Sequence, residues 1–144
     1  MISVPTWDAR IAMTTLQLEL LTDTFAICRL GPAESVPEWV TGEVISVTRT
    51  PLELSIVCSQ ENVPKDAKCE LGWRCLRVAG PLDFSLVGVI SSLTGTMAAA
   101  NISVFVVSTF DTDYLLIKRA DLHAAVESLN AAGHTISHQT GYDR

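Results

Sequence analysis

The chain has 144 residues, of which 48% are hydrophobic and 18% are charged. This length and composition predict a packed globular protein and exclude a disordered or low-complexity chain. Ten Lys and Arg against sixteen Asp and Glu give a net charge of −6. Because binding to phosphate backbones and anionic lipid needs a cationic surface, no nucleic-acid or membrane partner is expected.

Targeting and membrane signals are not found in the sequence. The mean hydropathy is +0.31, yet apolar stretches such as Ile102 to Val107 end well short of the roughly 20 residues of a spanning helix. The segment Met1 to Met13 carries Asp8 and Arg10 and has no apolar core of a secretion signal. We therefore expect a cytoplasmic protein with a flexible N-terminal arm at residues 1–13.

The cysteines and histidines do not form a metal-binding pattern. The four cysteines are Cys28, Cys58, Cys69 and Cys75, and no two of them form a Cys-x-x-Cys pair. All but Cys69 stand in apolar runs, where a free thiol behaves as a small hydrophobe. His134 and His138 flank a Thr-Ile-Ser stretch that favours an extended chain, so they are not expected to converge. Reduced thiols, no metal and no cofactor are predicted.

The second half of the chain begins with a strand and a helix. Residues 72–79 alternate apolar and charged side chains, which predicts a strand that ends at Gly80-Pro81. Asp83 or Ser85 then offers an N-cap for a helix with apolar residues at spacings of three and four. Asn101 follows an alanine run and suits a left-handed turn.

A hairpin, a helix and a short strand are predicted next. Residues 102–108 and 114–117 are rich in β-type side chains and are joined by the turn sequence Asp111-Thr112-Asp113. Asp121 is a candidate cap for the second helix, and residues 134–138 are a candidate last strand. The predicted order is therefore β, α, β, β, α, β.

The first half repeats this plan with shorter helices. Residues 26–32 align with 75–81, both ending in Gly-Pro, and residues 44–58 align with 104–118. The first helix is predicted to shrink to about one and a half turns around Ser35–Trp39, where a Ser-x-x-Glu capping box occurs.

This repeat predicts an α+β fold of two ferredoxin-like βαββαβ units with antiparallel sheets. The units are expected at residues 14–71 and 72–138, with a tail at 139–144. A half with shortened helices cannot cover its sheet alone, so the two halves, or two chains, should pack together.

Several of these stretches resemble a known family. Residues 72–89, residues 102–117 and the helix from Asp121-Leu122 resemble the second unit of small tandem ACT-domain proteins, and residues 46–58 resemble the first unit. This family is similar to the regulatory ACT pairs of aspartate kinases and to the CASTOR amino-acid sensors. The resemblance implies a regulatory fold that binds an amino acid between two ACT units.

The resemblance also implies a ligand site. In the family, the loop from the first strand into the first helix wraps the ligand's amino and carboxylate groups, and the start of the second strand adds a further contact. A helix N-terminus suits a carboxylate because its N–H groups are unpaired. The corresponding residues here are Asp83, Phe84, Ser85, Leu86 and Val87 for the loop, and Ile102, Ser103 and Val104 for the strand, with Asn101 where the family usually has Gly.

Simpler roles remain open for the charged candidates. Asp83 and Ser85 are also explained as helix caps, and Asp111 and Asp113 as hairpin-turn residues or as groups that recognise a polar side chain. Arg49 is a candidate partner for these carboxylates or for a ligand carboxylate, or a structural residue.

We find no catalytic motif in the chain, so an enzyme is not expected. The leading hypothesis is a stand-alone amino-acid sensor that forms a homodimer, and the acidic composition favours a cationic ligand such as arginine or lysine. The alternatives are a protein-interaction module, or a detached regulatory subunit of an amino-acid biosynthetic enzyme, without a ligand site of its own.

Overall fold

The described part of the chain combines one sheet with two α-helices. The structure, a computed structural model, describes residues 15–80 and 88–139. In chain order the elements are β1 (Gln17–Leu30), β2 (Ser46–Arg49), β3 (Leu54–Ser59), β4 (Cys69–Val78), α1 (Val89–Ala99), β5 (Val104–Ser108), β6 (Asp113–Lys118), a 3₁₀ turn (Arg119–Asp121), α2 (Leu122–Ala131) and β7 (Thr135–His138). The predicted α+β class is confirmed.

The seven strands form one continuous sheet in the order β2-β3-β1-β4-β6-β5, and β7 pairs with β1. Neighbours along this path are antiparallel, whereas β7 runs parallel to the first residues of β1. Strand β1 therefore belongs to both halves, since it pairs with β3 through one end and with β7 through the other. The unit boundary predicted after residue 71 lies inside β4.

Strand β1 contributes side chains to apolar clusters on both faces of the sheet, and its pairing with β4 is irregular. The register shifts between Leu20 and Thr24, and again between Phe25 and Ile27. A bulge of this kind bends a strand and redirects its side chains. Because side chains alternate between the two faces of a strand, the adjacent residues Leu20 and Leu21 are both buried, each in a different apolar cluster.

Three apolar clusters hold the fold together. The first lies between the sheet and the two helices and includes Leu76, Leu93, Met97, Leu115 and Leu129. The second lies on the opposite face and includes Phe25, Trp73 and Leu116. The third lies in the first half and includes Cys28, Ile56 and Cys58, with Trp39 packed against it. Each fully buried large side chain contributes about 1.5–3 kcal/mol to folding.

The first half has turns where short helices are predicted. Residues 31–45 and 60–68 contain no helix. The carboxylate of Glu34 accepts a hydrogen bond from the N–H of Gly31, and the N–H of Val40 donates to the Pro37 carbonyl at 3.2 Å. These tight local bonds, together with the prolines, favour turns over a helical ladder.

The helix ends agree in part with the sequence. Asn101 has a φ of 59°, which confirms the predicted left-handed turn after α1. The side chain of Asp121 makes no capping bond, because α2 is entered through the 3₁₀ turn and Asp121 has a near-helical backbone. In the described ranges, none of the helices has the length and apolarity that crossing a membrane requires.

Candidate functional site

A pocket of about 370 Å³ opens where β4 ends, and we call it the β4-end pocket. It is lined by Glu19, Arg77, Ala79, Gly80, Asp111, Thr112 and Tyr114. Its volume falls within the range of about 300–1,000 Å³ that small-molecule sites occupy. Gly80 is the last described residue before residues 81–87, so the pocket lies where the chain enters the predicted ligand loop.

Three side chains in a row across the sheet form the charged wall of this pocket. Glu19 on β1 faces Arg77 on β4, and Arg77 faces Tyr114 on β6. The Arg77 guanidinium forms an ion pair with the Glu19 carboxylate. Partial burial alone would lower the pKa of Arg77, but the Glu19 charge and a hydrogen bond with Tyr114 raise it. The guanidinium is therefore held in place and charged.

The hairpin between β5 and β6 forms the opposite wall. The buried hydroxyl of Thr112 donates to the Val78 carbonyl at 2.7 Å and ties the hairpin turn to β4. The Thr109 hydroxyl in turn donates to the Thr112 carbonyl at 3.0 Å. These two bonds fix the turn that carries Asp111, which is exposed at the rim.

This arrangement matches the charges of a free amino acid. A guanidinium binds a carboxylate through two parallel hydrogen bonds, and a carboxylate accepts hydrogen bonds from an ammonium group. Arg77 has the chemistry for the first interaction, and Glu19 and Asp111 have the chemistry for the second. Among the described lining residues there is no nucleophile with a neighbouring base.

The structure brings together some of the predicted site residues. Asp111 lines the pocket, and Asp113 begins β6 at the same end, opposite Ser108. Five further candidates lie outside the described residues: Asp83, Phe84, Ser85, Leu86 and Val87.

The second predicted contact, residues 102–104, lies at the other end of β5. Ile102 is buried in the helix-side cluster and its N–H donates to the Met97 carbonyl at 2.9 Å. Ser103 is exposed and Val104 faces Ile117. Since β5 rises about 3.3 Å per residue, its two ends are roughly 13 Å apart. Within one chain these residues therefore do not line the β4-end pocket.

Arg49 also lies away from the pocket. It ends β2, and its guanidinium donates to the carbonyl of Pro32. Arg49 pairs with Leu54, which pairs with Leu30 at the far end of β1. Leu30 is 11 residues beyond Glu19 on β1, which is roughly 36 Å at about 3.3 Å per residue. Arg49 is therefore not placed to pair with Asp111 or Asp113 of the same chain.

Four pocket residues with polar side chains were not among the predicted site residues: Glu19, Arg77, Thr112 and Tyr114. A signal existed for Arg77, which is the last charged residue of the alternating strand before Gly80-Pro81. Glu19 had no such signal, because its partner Arg77 is far away in sequence and Glu19 lies before residues 26–32, the part of the first strand that aligns with the second half.

Comparisons with known proteins identify the fold family. A family model described as the ACT domain matches residues 68–131. A second family model, described as an N-terminal domain, matches residues 23–66. The chain belongs to the ACT-domain family.

Individual relatives agree with this assignment. The crystal structure of protein Atu0741 from Agrobacterium tumefaciens is 35% identical and superposes with a TM-score of 0.84, covering 91% of this chain and 98% of that one. The human protein named cytosolic arginine sensor for mTORC1 subunit 1 is 36% identical over 58 residues, which are 40% of this chain and 18% of the sensor. The match thus spans less than a fifth of the sensor's length.

The fold also matches a regulatory subunit of a known enzyme. The ligand-free regulatory subunit of aspartate kinase from Thermus thermophilus superposes with a TM-score of 0.55 at 11% identity, covering 76% of this chain and 93% of that one. At this identity the likeness concerns the fold alone. The chain is therefore an ACT-domain protein related in sequence to an amino-acid sensor.

Proposed function

We propose that this protein is a regulatory, non-catalytic ACT-domain protein that binds a free amino acid in the β4-end pocket. The observation that carries the proposal is the position of Arg77, which lies between Glu19 and Tyr114 on one wall while Asp111 lies on the other. A cation and two carboxylates around one small cavity complement both ends of a zwitterion.

The ligand's carboxylate binds Arg77, and its ammonium group binds Glu19 or Asp111. The segment that follows Gly80 completes the site in this proposal. Asp83 and Ser85 are its polar side chains, and the N–H groups of Leu86 and Val87 serve the carboxylate. Binding then ties the end of β4 to the hairpin turn, which gives the ligand-bound protein a different preferred packing from the free one.

A cationic amino acid is the first candidate ligand. Glu19, Asp111 and Asp113 place three carboxylates at this end of the sheet, whereas Arg77 is the one cation among the pocket's described lining residues. A guanidinium or ammonium side chain balances that excess of negative charge. The relative named as an arginine sensor supports the same choice, so arginine and lysine are tested first.

We further propose that the protein acts in the cytoplasm as a homodimer of tandem ACT units. Strands β2 and β5 are the outer strands of the sheet path, and a free strand edge is a common route to pairing between chains. Sedimentation or light scattering with and without the amino acid tests this assembly.

A thermal-shift screen against the twenty amino acids, followed by calorimetry, tests the ligand proposal. A ligand that binds the folded state alone raises the apparent melting temperature with its concentration. We expect one selective hit that weakens at least tenfold in Asp111→Asn, since Asp111 is exposed and its change leaves the core intact. Glu70→Gln, an exposed carboxylate elsewhere on β4, is the matched control.

A flat screen at millimolar concentrations with folded protein would contradict the ligand proposal. It would favour the alternative, a protein-interaction module or a detached regulatory subunit without a ligand site. Equal loss of binding in Asp111→Asn and Glu70→Gln would instead show that general charge, and not this pocket, governs the affinity.

A further inference from the structure

Three of the four cysteines meet in the first half of the chain. Cys28 lies on β1, Cys58 on β3 and Cys69 at the start of β4. Cys28 and Cys58 belong to the same buried cluster, and Cys69 packs against it. The thiol of Cys28 interacts with both of the others. The thiols therefore share one face of the sheet, although 41 residues separate Cys69 from Cys28 in sequence.

The register makes Cys28 and Cys69 direct cross-strand partners. The N–H of Arg29 donates to the Lys68 carbonyl at 2.9 Å, one residue beyond the pair on each strand. In an antiparallel ladder this pattern marks Cys28 and Cys69 as a non-hydrogen-bonded pair, whose Cα atoms lie about 4.5 Å apart. Disulfides form across Cα separations of about 4.4–6.8 Å, so this pair can be joined with little backbone movement.

Cys58 is the less suitable partner for Cys28. It faces Ala26, whereas Cys28 faces Ile56, so the two cysteines are diagonal neighbours across the strands. Diagonal Cα atoms lie about 7–8 Å apart, which is beyond ordinary disulfide geometry.

The cluster is also reachable from one side. Cys28 is 2% exposed and Cys58 is 0% exposed, whereas Cys69 is half-buried. A cavity of about 420 Å³ adjoins the cluster and is lined in part by Cys28, Trp39 and Lys68. Cys69 is the more exposed thiol and meets a small reagent first, while the cavity borders Cys28 and Lys68, the residue before Cys69.

We propose that Cys28 and Cys69 form a reversible disulfide by exchange with a small-molecule disulfide. The Cys69 thiolate attacks one sulfur of the reagent, which gives a mixed disulfide on Cys69 and releases one thiolate. The Cys28 thiolate then attacks the Cys69 sulfur, which closes the Cys28–Cys69 bond and releases the second thiolate. The two protons lost by the cysteines end on the two released thiols, and the reagent is the electron acceptor.

The second step limits the rate. Burial, reinforced by Cys58 and Cys69, raises the pKa of Cys28 to about 12. Because the thiolate is the attacking form, closure accelerates as the pH rises. The product ties the helix-poor half into one covalent loop from β1 to β4, and reduction opens it again.

The experiment equilibrates the reduced, folded protein with glutathione buffers of graded oxidation. Free thiols are then trapped in acid with an alkylating agent, and the linked peptides are mapped by mass spectrometry. We expect a Cys28–Cys69 peptide that disappears on treatment with dithiothreitol. It is absent in Cys69→Ala and in Cys28→Ala, whereas Cys75→Ala, which removes a buried thiol from the other sheet face, keeps it.

Three results would overturn the assignment. The first is a mixed disulfide between glutathione and Cys69 that persists at every pH and never converts to the Cys28–Cys69 disulfide. The second is a linked peptide that joins Cys28 to Cys58. The third is a Cys28–Cys69 bond that forms in denaturant and not in the native protein. Because Cys28→Ala can destabilise the fold, circular dichroism of each variant is recorded, and Cys69→Ala at the half-buried position carries the test by itself.

Discussion

The hydroxyl of Thr112 donates a hydrogen bond of 2.7 Å to the carbonyl oxygen of Val78, and this bond joins the turn before β6 to the last residue of β4. Val78 ends β4, whose last pair with β6 is Arg77 with Tyr114. Thr112 is 7% exposed, so the bond is shielded from water. It therefore sets the distance between the end of β4 and the turn that carries Asp111.

Replacement of Thr112 by Val removes this bond and keeps the side-chain shape. The Val78 carbonyl then loses its partner in a buried place, which costs about 1–3 kcal/mol of unfolding free energy. Urea unfolding measures the loss. The control Thr112→Ser keeps the hydroxyl and is expected to retain most of the stability. Equal stability of Thr112→Val and the wild type would contradict a stabilising role for the Thr112–Val78 hydrogen bond.

His134 links the last strand to the beginning of β1. Its Nδ1 atom accepts a hydrogen bond of 3.1 Å from the N–H of Leu16, which requires that Nδ1 carry no proton. The ring is 4% exposed, and this burial lowers its pKa from the usual 6.5. As the pH falls through about 6.5, His134 is therefore protonated in the unfolded chain, whereas in the folded chain it stays neutral to a lower pH.

Stability is therefore expected to fall as the pH drops through about 6.5, and to level off below the lowered pKa of His134. The free energy of unfolding in urea between pH 8 and pH 5 tests this. In His134→Asn the side-chain oxygen can accept the hydrogen bond from the Leu16 N–H and does not titrate. The part of the pH dependence of the unfolding free energy that comes from His134 is therefore expected to disappear. His123→Asn, at an exposed position, keeps the wild-type slope. An unchanged slope in His134→Asn would rule out His134 as its source.

The second half of the fold was predictable because its signals are local. The β-rich runs around the turn at residues 109–112 form the hairpin β5–β6, and Asn101 adopts the left-handed turn expected after its alanine run. In each case the residues that determine the structure are neighbours in sequence, so periodicity and turn chemistry suffice.

Long-range pairing explains what was not predicted. Residues 17–20 of β1 become a strand because they lie between the end of β4 and β7, both of which are far away in sequence. For the same reason the Glu19–Arg77–Tyr114 row and the Cys28–Cys69 pair are visible only in the folded sheet. Turns stand where short helices were predicted because local bonds favour them, such as those from the Gly31 N–H to the Glu34 carboxylate and from the Ala67 N–H to the Pro64 carbonyl.

Glu19→Gln is expected to affect ligand binding more than stability. The side chains of Arg77 and Glu19 are 37% and 32% exposed, and an ion pair of that exposure contributes about 0–1 kcal/mol to folding. In the proposed site, however, Glu19 supplies a charge for the ligand's ammonium group. Calorimetry with the amino acid found in the screen should show an affinity loss of at least about fivefold, with the melting temperature of the free protein nearly unchanged. A stability loss without an affinity loss would make Glu19 structural.

Two glycines are expected to respond in opposite directions to replacement by Ala. Gly42 has a φ of 134°, and a Cβ there would lie 2.9 Å from the backbone nitrogen of Ser59, whose N–H donates to the Thr41 carbonyl at 2.7 Å. Gly42→Ala thus combines backbone strain with a clash against a strand, and we expect a loss of about 1–3 kcal/mol.

Gly95 lies in the exposed middle of α1, and a Cβ there would meet nothing within 4 Å. Gly95→Ala is therefore expected to stabilise the protein by about 0.5–1 kcal/mol, because Ala restricts the unfolded chain and favours the helix. Both variants are measured in the same urea series, so that the sign of the change is compared directly. A loss of stability in Gly95→Ala would indicate that α1 contacts another surface at this position, such as the second subunit of the proposed dimer.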